Sequence, residues 1–307
     1  MSHANCSNSS LPADIEDALR SVAALQGKPL VVTQLTGGIT NRNFRIDADA
    51  ETFVLRVAGP GTEQLGIDRQ REYLCAQAAA ASGAGCEVVA FLPEHGAMLS
   101  RYAPGAPLSP RDSEDASVLA RAVGALTRFH AAGTLPGRFC PFRTVESYLE
   151  IARRHGVLVP AEVDAVLARL AVIEAQLADG SEISPCHNDL LPANLIDDGQ
   201  QVRIIDWEYA AMGDRFFDLG NLAENHELSA AAESNLLALY FCEVRPRDRA
   251  RLRMMRTASA MREAAWGFVQ AGVSTLDFDF HGYARRHLDI VVQRLSAHPD
   301  AEPQLPA

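Results

Sequence analysis

Hydrophobic positions near the start of the chain recur at helical spacing and then give way to short β-type runs. Ile15, Leu19, Val22 and Leu25 fall on one face of a helix predicted over 13–25. Beyond it, runs rich in Val, Phe and Ile favour strands, with one helical pattern among them. The predicted strands are 30–35, 43–49, 52–58, 87–92 and 97–103, and the helix covers 67–82.

A proline-rich segment, "PGAPLSPRD" at 104–112, reads as a linker, and helical patterns dominate after it. The predicted helices are 113–132, 144–155, 160–178, 215–226, 229–242, 248–272 and 280–296. The exception is 184–209, where "ANLID" and "VRIID" resemble two short strands joined by Asp198-Gly199.

This order of elements predicts an α+β fold. A flexible tail over 1–12 is followed by a small, mostly antiparallel β lobe over 13–103 and a larger, mostly helical lobe over 104–307. With 307 residues and 48% hydrophobic content, the chain can bury the core that two lobes need.

The charge and the apolar runs exclude several classes of protein. A net charge of −11 and a pI near 5.3 argue against a nucleic-acid partner, because no basic face compensates the repulsion. The N-terminus lacks the basic and apolar regions of a secretory signal, and no run approaches the roughly 20 apolar residues of a membrane span. Six scattered cysteines show no zinc spacing. We therefore expect a cytoplasmic protein, monomeric or homodimeric.

The stretch "HNDLLPANL" (187–195) sets Asp189 and Asn194 five residues apart, and Asp206 follows a short apolar run twelve residues later. Phosphoryl transfer from ATP needs divalent cations on hard oxygen ligands and a carboxylate that orients the attacking hydroxyl. Protein kinases use D-x-x-x-x-N with a later Asp after a short strand. Each residue alone is more typical of a turn, but the combination favours a kinase.

These motifs also carry a resemblance to a known family. "CHNDLLPANLI" and "IIDWEYAAMGDRFFDLGNL" resemble the catalytic region of choline/ethanolamine kinases, which belong to the aminoglycoside-phosphotransferase-like, protein-kinase-like superfamily. The resemblance implies a two-lobed protein-kinase-like fold and an enzyme that uses ATP and Mg²⁺. It is strongest over 186–222 and little more than helical pattern over 112–180.

Roles for the motif residues follow from that resemblance. It implies that Asp189 is the catalytic base or hydroxyl-orienting carboxylate, and that Asn194 and Asp206 are magnesium ligands. His187 would be a scaffold residue of the catalytic loop, and Asp218 a buried brace for it.

The nucleotide side is predicted around "LTGGITNRNFRI" (35–46), a glycine turn between strands that lets backbone N–H groups approach phosphates. By itself a double glycine is weak evidence for a phosphate site. The stretch is similar to the glycine turn of choline kinases, however, and this resemblance implies phosphate contacts at Gly37, Gly38, Thr40 and Asn41. Arg56, in "FVLRV", stands where protein kinases carry a lysine, and its guanidinium can bridge two phosphates.

An acid in the predicted helix 67–82 is expected to position that arginine. Glu72 lies sixteen residues later in the predicted helix, and Asp68 lies four residues before it on nearly the same face, so both stay open as the partner. At the lobe boundary, the superfamily resemblance implies that main-chain atoms of Arg101, Tyr102 and Ala103 bind the adenine edge.

The acceptor pocket is predicted near the C-terminus. A quaternary ammonium cannot donate hydrogen bonds, so proteins select it with aromatic faces and a carboxylate. Trp266, Phe280 and Tyr283, with Asp277 among them, supply those groups, although the same aromatics could simply pack two helices together.

The region is similar to the choline-pocket segment of choline kinases, and Gln270 also falls on its pattern. Two positions depart from it: Glu263 replaces a tryptophan that is frequent there, and Asn225, flanked by Glu224 and Glu227, replaces a glutamate. Because a carboxylate can suit a primary or protonated amine as well as a trimethylated one, we expect choline first and ethanolamine or another amino alcohol close behind.

Three alternatives stay open. The acceptor could be another alcohol such as thiamine, an aminoglycoside or a sugar derivative. The chain could instead be a nucleotide-binding regulatory protein without catalysis, although such proteins usually lose the base or a metal ligand. A metal-dependent hydrolase would usually need more ligands than this loop provides.

Overall fold

A computed structural model describes residues 11–35, 41–59, 62–178 and 183–297 of the chain. Its α-helices are α1 Ala13–Ser21, α2 Arg69–Ala81, α3 Ala116–His130, α4 Pro141–Arg154, α5 Glu162–Leu177, α6 Arg215–Asn225, α7 Ala230–Tyr240, α8 Pro246–Val273 and α9 Phe280–Ala297. Its strands are β1 Leu30–Leu35, β2 Asn41–Ala48, β3 Glu51–Ala58, β4 Val88–Leu92, β5 Ala97–Arg101, β6 Ala106–Pro107, β7 Ile183–Cys186, β8 Leu195–Asp197, β9 Val202–Ile204 and β10 Ala211–Asp214.

The chain divides into two compact units. Unit 1 comprises Met1–Pro60 and Val88–Tyr102, and unit 2 comprises Gly61–Glu87 and Ala103–Ala307. Helix α2 therefore groups with the helical unit, whereas its sequence position between β strands had assigned it to the N-terminal lobe.

Unit 1 is an antiparallel five-stranded sheet with the order β1-β2-β3-β5-β4. Alternation along β2 and β3 buries one face, where Phe44 is opposite Leu55 and Ile46 is opposite Phe53. Ile15 of α1 joins the same core. Helix α1 ends at Ser21 rather than at residue 25, and a 3-10 turn continues the apolar face.

Unit 2 is organised around α8, a 28-residue helix that packs against α4, α6 and α9. Glycines allow two of these helices to approach it closely. A Cβ at Gly220 of α6 would lie 2.7 Å from the backbone of Met255, and a Cβ at Gly267 of α8 would lie 2.9 Å from the Cβ of Ala284. The buried face of α8 is thus brought against the loops that carry the predicted catalytic residues.

Short strands complete unit 2. β8 and β9 form the hairpin that the sequence predicted, and β6 adds to its edge. β7 pairs with β10 in a separate two-stranded ribbon. Strands β6, β7 and β10 were not predicted, because segments of two to four residues show no usable periodicity and their partners are distant in sequence. The predicted α+β fold class is confirmed. No helix in the described part of the chain is long and apolar enough to cross a membrane.

Candidate active site

A sharp loop follows β7 and carries the first part of the predicted catalytic motif. Asn188 adopts a left-handed backbone conformation with φ of 67°, which Asn tolerates better than most residues. Asp218, in the first turn of α6, accepts the N–H of His187 on Oδ2 and the N–H of Asn188 on Oδ1, both at 2.7 Å. A carboxylate removed from solvent therefore fixes the backbone that leads to Asp189.

His187 is buried, and both of its ring nitrogens are engaged inside the loop. Nδ1 accepts the N–H of Asp189 at 3.2 Å, and Nε2 lies 2.9 Å from the carbonyl oxygen of Ile205. Because a backbone N–H can only donate, the ring proton is on Nε2. Burial lowers the pKa of His187, so the ring stays neutral. His187 thus ties Asp189 to the segment that precedes Asp206.

Asn194 and Asp206 lie at the same end of one hairpin. Leu195 of β8 is opposite Ile204 of β9, and the N–H of Ile205 donates to the carbonyl oxygen of Asn194 at 2.9 Å. Asp206 follows at once, with φ of 69°. The twelve-residue interval in the sequence is therefore the length of a hairpin that brings the backbone of Asn194 next to the residue before Asp206.

The donor set at this end of the hairpin fits Mg²⁺. Nδ2 of Asn194 donates to the carbonyl oxygen of Asp189 at 2.9 Å, which turns the amide oxygen the other way. Among the described residues, none donates to that oxygen. An amide oxygen and a carboxylate are among the hard oxygen ligands that Mg²⁺ takes in proteins, so the residue types of Asn194 and Asp206 fit this ion.

Asp189 is held by a buried arginine that the sequence did not reveal. Nη1 of Arg262, on α8, donates to Oδ1 of Asp189 at 2.7 Å. Burial raises the pKa of Asp189 to about 6, with the nearby Glu263 adding to the rise and Arg262 opposing it. Burial lowers the pKa of Arg262, but Asp189 and Glu263 more than offset that effect, so the guanidinium stays charged. The carboxylate is thus set near the pH at which a base works best.

Glu263 connects this pair to the predicted acceptor residues. Its Oε1 accepts from the same Nη1 of Arg262 at 2.7 Å, and its Oε2 accepts from the hydroxyl of Tyr283 at 2.8 Å. Each carboxylate oxygen therefore accepts one hydrogen bond, and the residue is only 4% exposed. The contact of Glu263 with an amine stays a prediction.

Three predicted acceptor aromatics form a cluster on α8 and α9. The ring of Trp266 lies 5.9 Å from that of Phe280 and 5.7 Å from that of Tyr283, both nearly edge-on. Phe278, which was not predicted, adds a fourth ring 4.8 Å from Phe280. Asp277 lies exposed in the loop before α9. The structure therefore brings the aromatics together and leaves the carboxylate of Asp277 at the surface.

Asn225 and the two acids that flank it, Glu224 and Glu227, have different surroundings. Asn225 lies beside the catalytic loop, with Nδ2 3.5 Å from the carbonyl oxygen of Leu190. Glu224, its neighbour, is buried and accepts from Arg256 at 2.8 Å and Arg294 at 2.6 Å. Glu227 is exposed. Only Asn225 of this group therefore lies next to the loop.

The predicted nucleotide residues belong mostly to unit 1. Gly37, Gly38 and Thr40 lie outside the described residues. Asn41 is buried at the start of β2, and Arg56 is half-buried in β3, opposite Asn43 on one side and Met98 on the other. Their phosphate contacts stay predictions.

At the predicted adenine segment, the backbone N–H of Tyr102 donates to the carbonyl oxygen of Thr52 at 3.0 Å, so this N–H is engaged within unit 1. The guanidinium of Arg101 pairs with Glu51 at 2.5 Å. Ala103 begins the second part of unit 2.

Both candidate acidic partners of Arg56 lie in unit 2 and have local roles there. The Asp68 carboxylate caps α2 by accepting the N–H of Arg71 at 3.0 Å. The buried Glu72 accepts from Arg69 at 2.7 Å. Both acids therefore have a partner in unit 2, and the pairing of Arg56 with Glu72 or Asp68 stays a prediction.

One cluster of side chains that could bind a metal occurs among the described residues. It surrounds Asp218, the predicted brace of the catalytic loop, and does not include the predicted metal ligands. His130, Cys186 and Asp218 are all buried there. Nε2 of His130 donates to Asp218 at 2.9 Å, and its Nδ1 accepts from the Tyr240 hydroxyl at 2.6 Å. Burial raises the pKa of the Cys186 thiol well above its usual range, so it stays protonated. The cluster supports the catalytic loop.

A family model described as "Phosphotransferase enzyme family" matches residues 31–255. This chain belongs to that family. The match includes the catalytic loop, the hairpin and most of the residues that hold them.

Individual relatives agree with this assignment. Ethanolamine kinase 2 of Homo sapiens is 29% identical over 286 residues, which cover 82% of this chain and 72% of that protein. Protein LicA of Haemophilus influenzae is 28% identical over 213 residues, which cover 66% of this chain but only 61% of LicA. A solved choline/ethanolamine kinase family protein from Mesorhizobium loti is 28% identical, with a TM-score of 0.80 and coverage of 95% and 96% of the two chains. The predicted resemblance and the kinase-like fold are confirmed.

The sequence missed several residues that support the phosphotransferase site. Asn221, one turn after Asp218, accepts the N–H of Leu190 on Oδ1 at 2.5 Å and donates to the Ser259 hydroxyl at 2.9 Å. Arg262, which pairs with Asp189, is the more important residue that the sequence analysis did not predict. The only available signal was a charged pair in "SAMREAAWGF", an otherwise small and apolar stretch of a helix.

Proposed function

We propose that this protein is an ATP- and Mg²⁺-dependent phosphotransferase that transfers the γ-phosphate to the hydroxyl of a small amino alcohol, with choline or ethanolamine as the acceptor. The observation that carries the proposal is the hydrogen-bonded chain from Asp189 through Arg262 and Glu263 to Tyr283. It joins the predicted base to the predicted acceptor residues. The similarity to ethanolamine kinase 2 supports the same class of acceptor.

The chain's own groups suffice for the proton transfer that this reaction needs. Oδ1 of Asp189 is held by Arg262, and Oδ2 accepts no hydrogen bond from any described residue. The acceptor hydroxyl donates its proton to Oδ2 as its oxygen attacks the γ-phosphorus, and ADP leaves with the electrons of the broken P–O bond. Asn194 and Asp206 would hold the magnesium ion, which supplies neutralisation of charge on the phosphate oxygens.

The charge balance of the acceptor region favours a small monocation over a polycation. An aminoglycoside carries several ammonium groups and needs several unpaired carboxylates. Here Glu224 pairs with Arg256 and Arg294, and Glu263 shares Arg262 with Asp189, so these acids are already paired with arginines. The aromatic cluster around Trp266 instead offers the apolar, polarisable surface that an alkylated ammonium prefers.

A panel assay tests the proposal. ADP release is measured with Mg²⁺-ATP and choline, ethanolamine, thiamine or an aminoglycoside, with Asp189→Asn as the matched inactive variant. We expect turnover above the acceptor-free rate with choline or ethanolamine only, abolished in the variant. Turnover restricted to thiamine or the aminoglycoside would overturn the acceptor class. Nucleotide binding without turnover on any alcohol would favour a regulatory role.

A further inference from the structure

Arg262 has an unusual environment for a cation. It is 2% exposed, and its single Nη1 donates to two carboxylates, Asp189 on the catalytic loop and Glu263 on its own helix. The guanidinium also lies over the ring of Tyr209, 4.7 Å from the centroid. A buried charge of this kind is retained only when its partners are fixed, because an unmatched guanidinium is costly to bury.

The partners of Arg262 are themselves held from α9. Tyr283 donates its hydroxyl to Glu263, and burial beside that carboxylate raises the pKa of the phenol, so it stays a donor. Gly267 permits α9 to approach here, since a Cβ at this position would lie 3.0 Å from the ring of Tyr283. A residue of α9 therefore holds one of the two carboxylates that pair with Arg262.

We infer that Arg262 is a positioning residue for phosphoryl transfer. It holds Asp189 through Oδ1 so that Oδ2 faces the acceptor hydroxyl, and Glu263 with Tyr283 holds Arg262 rather than contacting the acceptor amine. This inference rests on the proposed function and assigns to Glu263 a role different from the one its sequence position suggested. A misplacement of the base by about 1 Å costs on the order of 100-fold in rate.

Kinetic constants and thermal unfolding of a set of variants separate a positioning role of Arg262 from amine binding and from structural support. Arg262→Met leaves two buried carboxylates without their cation, so a loss of activity could reflect poor folding. The double variant Arg262→Met/Glu263→Gln removes that charge imbalance, and thermal unfolding reports whether stability returns. Arg262→Lys keeps a donor for both carboxylates. Arg256→Lys, on the same helix but paired with Glu224 and Glu233, is the matched control.

We expect the double variant to regain most of the unfolding midpoint lost in Arg262→Met, yet to stay about 100-fold below wild type in kcat. Arg262→Lys should recover part of kcat, and KM for Mg²⁺-ATP should stay within about twofold throughout, because the nucleotide does not contact Arg262 in this assignment. Glu263→Gln should lower kcat and leave KM for the amine unchanged. A double variant with wild-type kcat would overturn the inference, as would a Glu263→Gln effect confined to KM for a protonated amine.

Failure of the proposed function has a different signature. If wild-type protein turns over none of the amino alcohols, that function is wrong. The positioning role of Arg262 is then tested by measuring ADP release without an acceptor, a reaction in which Asp189 orients water instead of an alcohol. Loss of that release in the double variant, matching Asp189→Asn, supports the role of Arg262. Release equal to wild type contradicts it.

Discussion

Oδ1 of Asp218 accepts the backbone N–H of Asn188 at 2.7 Å, across thirty residues of sequence. This hydrogen bond, with its counterpart from Oδ2 to His187, holds a left-handed backbone immediately before Asp189. Two backbone donors and His130 all converge on one buried carboxylate. The geometry of the predicted base thus depends on a buried carboxylate that lies 29 residues further along the chain than Asp189.

Asp218→Asn should destabilise the protein by about 2–4 kcal/mol, because the amide NH₂ replaces one acceptor and opposes a buried donor. It should also lower kcat more than KM. Chemical unfolding with parallel kinetics measures both. Asp164→Asn, an acid exposed on α5, is the control and should leave the unfolding midpoint unchanged. An Asp218→Asn protein with wild-type stability and kcat would contradict the assigned brace.

Asp189→Asn should lower kcat by about 10²- to 10⁴-fold, the usual range for a removed general base, while nucleotide affinity is retained. Steady-state ADP release and direct nucleotide titration measure the two quantities. Asp198→Asn changes an acid in the β8–β9 turn that binds only nearby residues, and it should leave kcat unaltered. Substantial turnover by the Asp189→Asn protein would refute its role as base.

The pH dependence of kcat/KM should show an acid limb near pH 6. Asp189 accepts a proton only when ionised, and its pKa is raised to about 6, so activity falls roughly tenfold per unit below that pH. Because Glu263 contributes to the raised pKa, Glu263→Gln should move the limb to lower pH. Glu233→Gln, which removes a carboxylate paired with Arg256, is the control and should not move it. A limb moved to higher pH by Glu263→Gln would contradict this electrostatic assignment.

Asp206→Asn should weaken Mg²⁺-supported nucleotide binding, because a neutral amide is a poorer ligand than a carboxylate. Nucleotide titrations with and without Mg²⁺ measure the effect. The nucleotide affinity with Mg²⁺ should exceed the affinity without Mg²⁺ by less in Asp206→Asn than in wild type. The control is Asp197→Asn, whose carboxylate pairs with Arg121, and it should keep the wild-type difference. An undiminished magnesium effect in Asp206→Asn would exclude it as a ligand.

Trp266→Ala should raise KM for choline by about 2- to 30-fold, which corresponds to a cation–π contribution of about 0.5–2 kcal/mol. The increase for ethanolamine should be smaller, since a primary ammonium can use hydrogen bonds instead. Trp266→Phe should retain part of the affinity. Equal shifts for the two acceptors would remove the support for aromatic recognition.

The sequence by itself determined the fold class and the local part of the site. Asp189, Asn194 and Asp206 could be predicted as one group because only a tight loop and a short hairpin separate them along the chain. The alternating pattern of the strands and the periodic pattern of the helices also depend only on residues that are close together in the sequence. The glycine turn at residues 37 and 38 lies outside the described residues and stays a prediction.

Tertiary structure decided what the charges on α8 do. Arg262 and Asp189 are 73 residues apart, and nothing in a helical pattern indicates which loop will lie against a given turn. Sequence position suggested a contact of Glu263 with an amine, and only the structure showed that its oxygens accept hydrogen bonds from Arg262 and Tyr283. The physical reason is burial: once water is excluded, each charge must be matched by whichever partner the packing brings within hydrogen-bond distance.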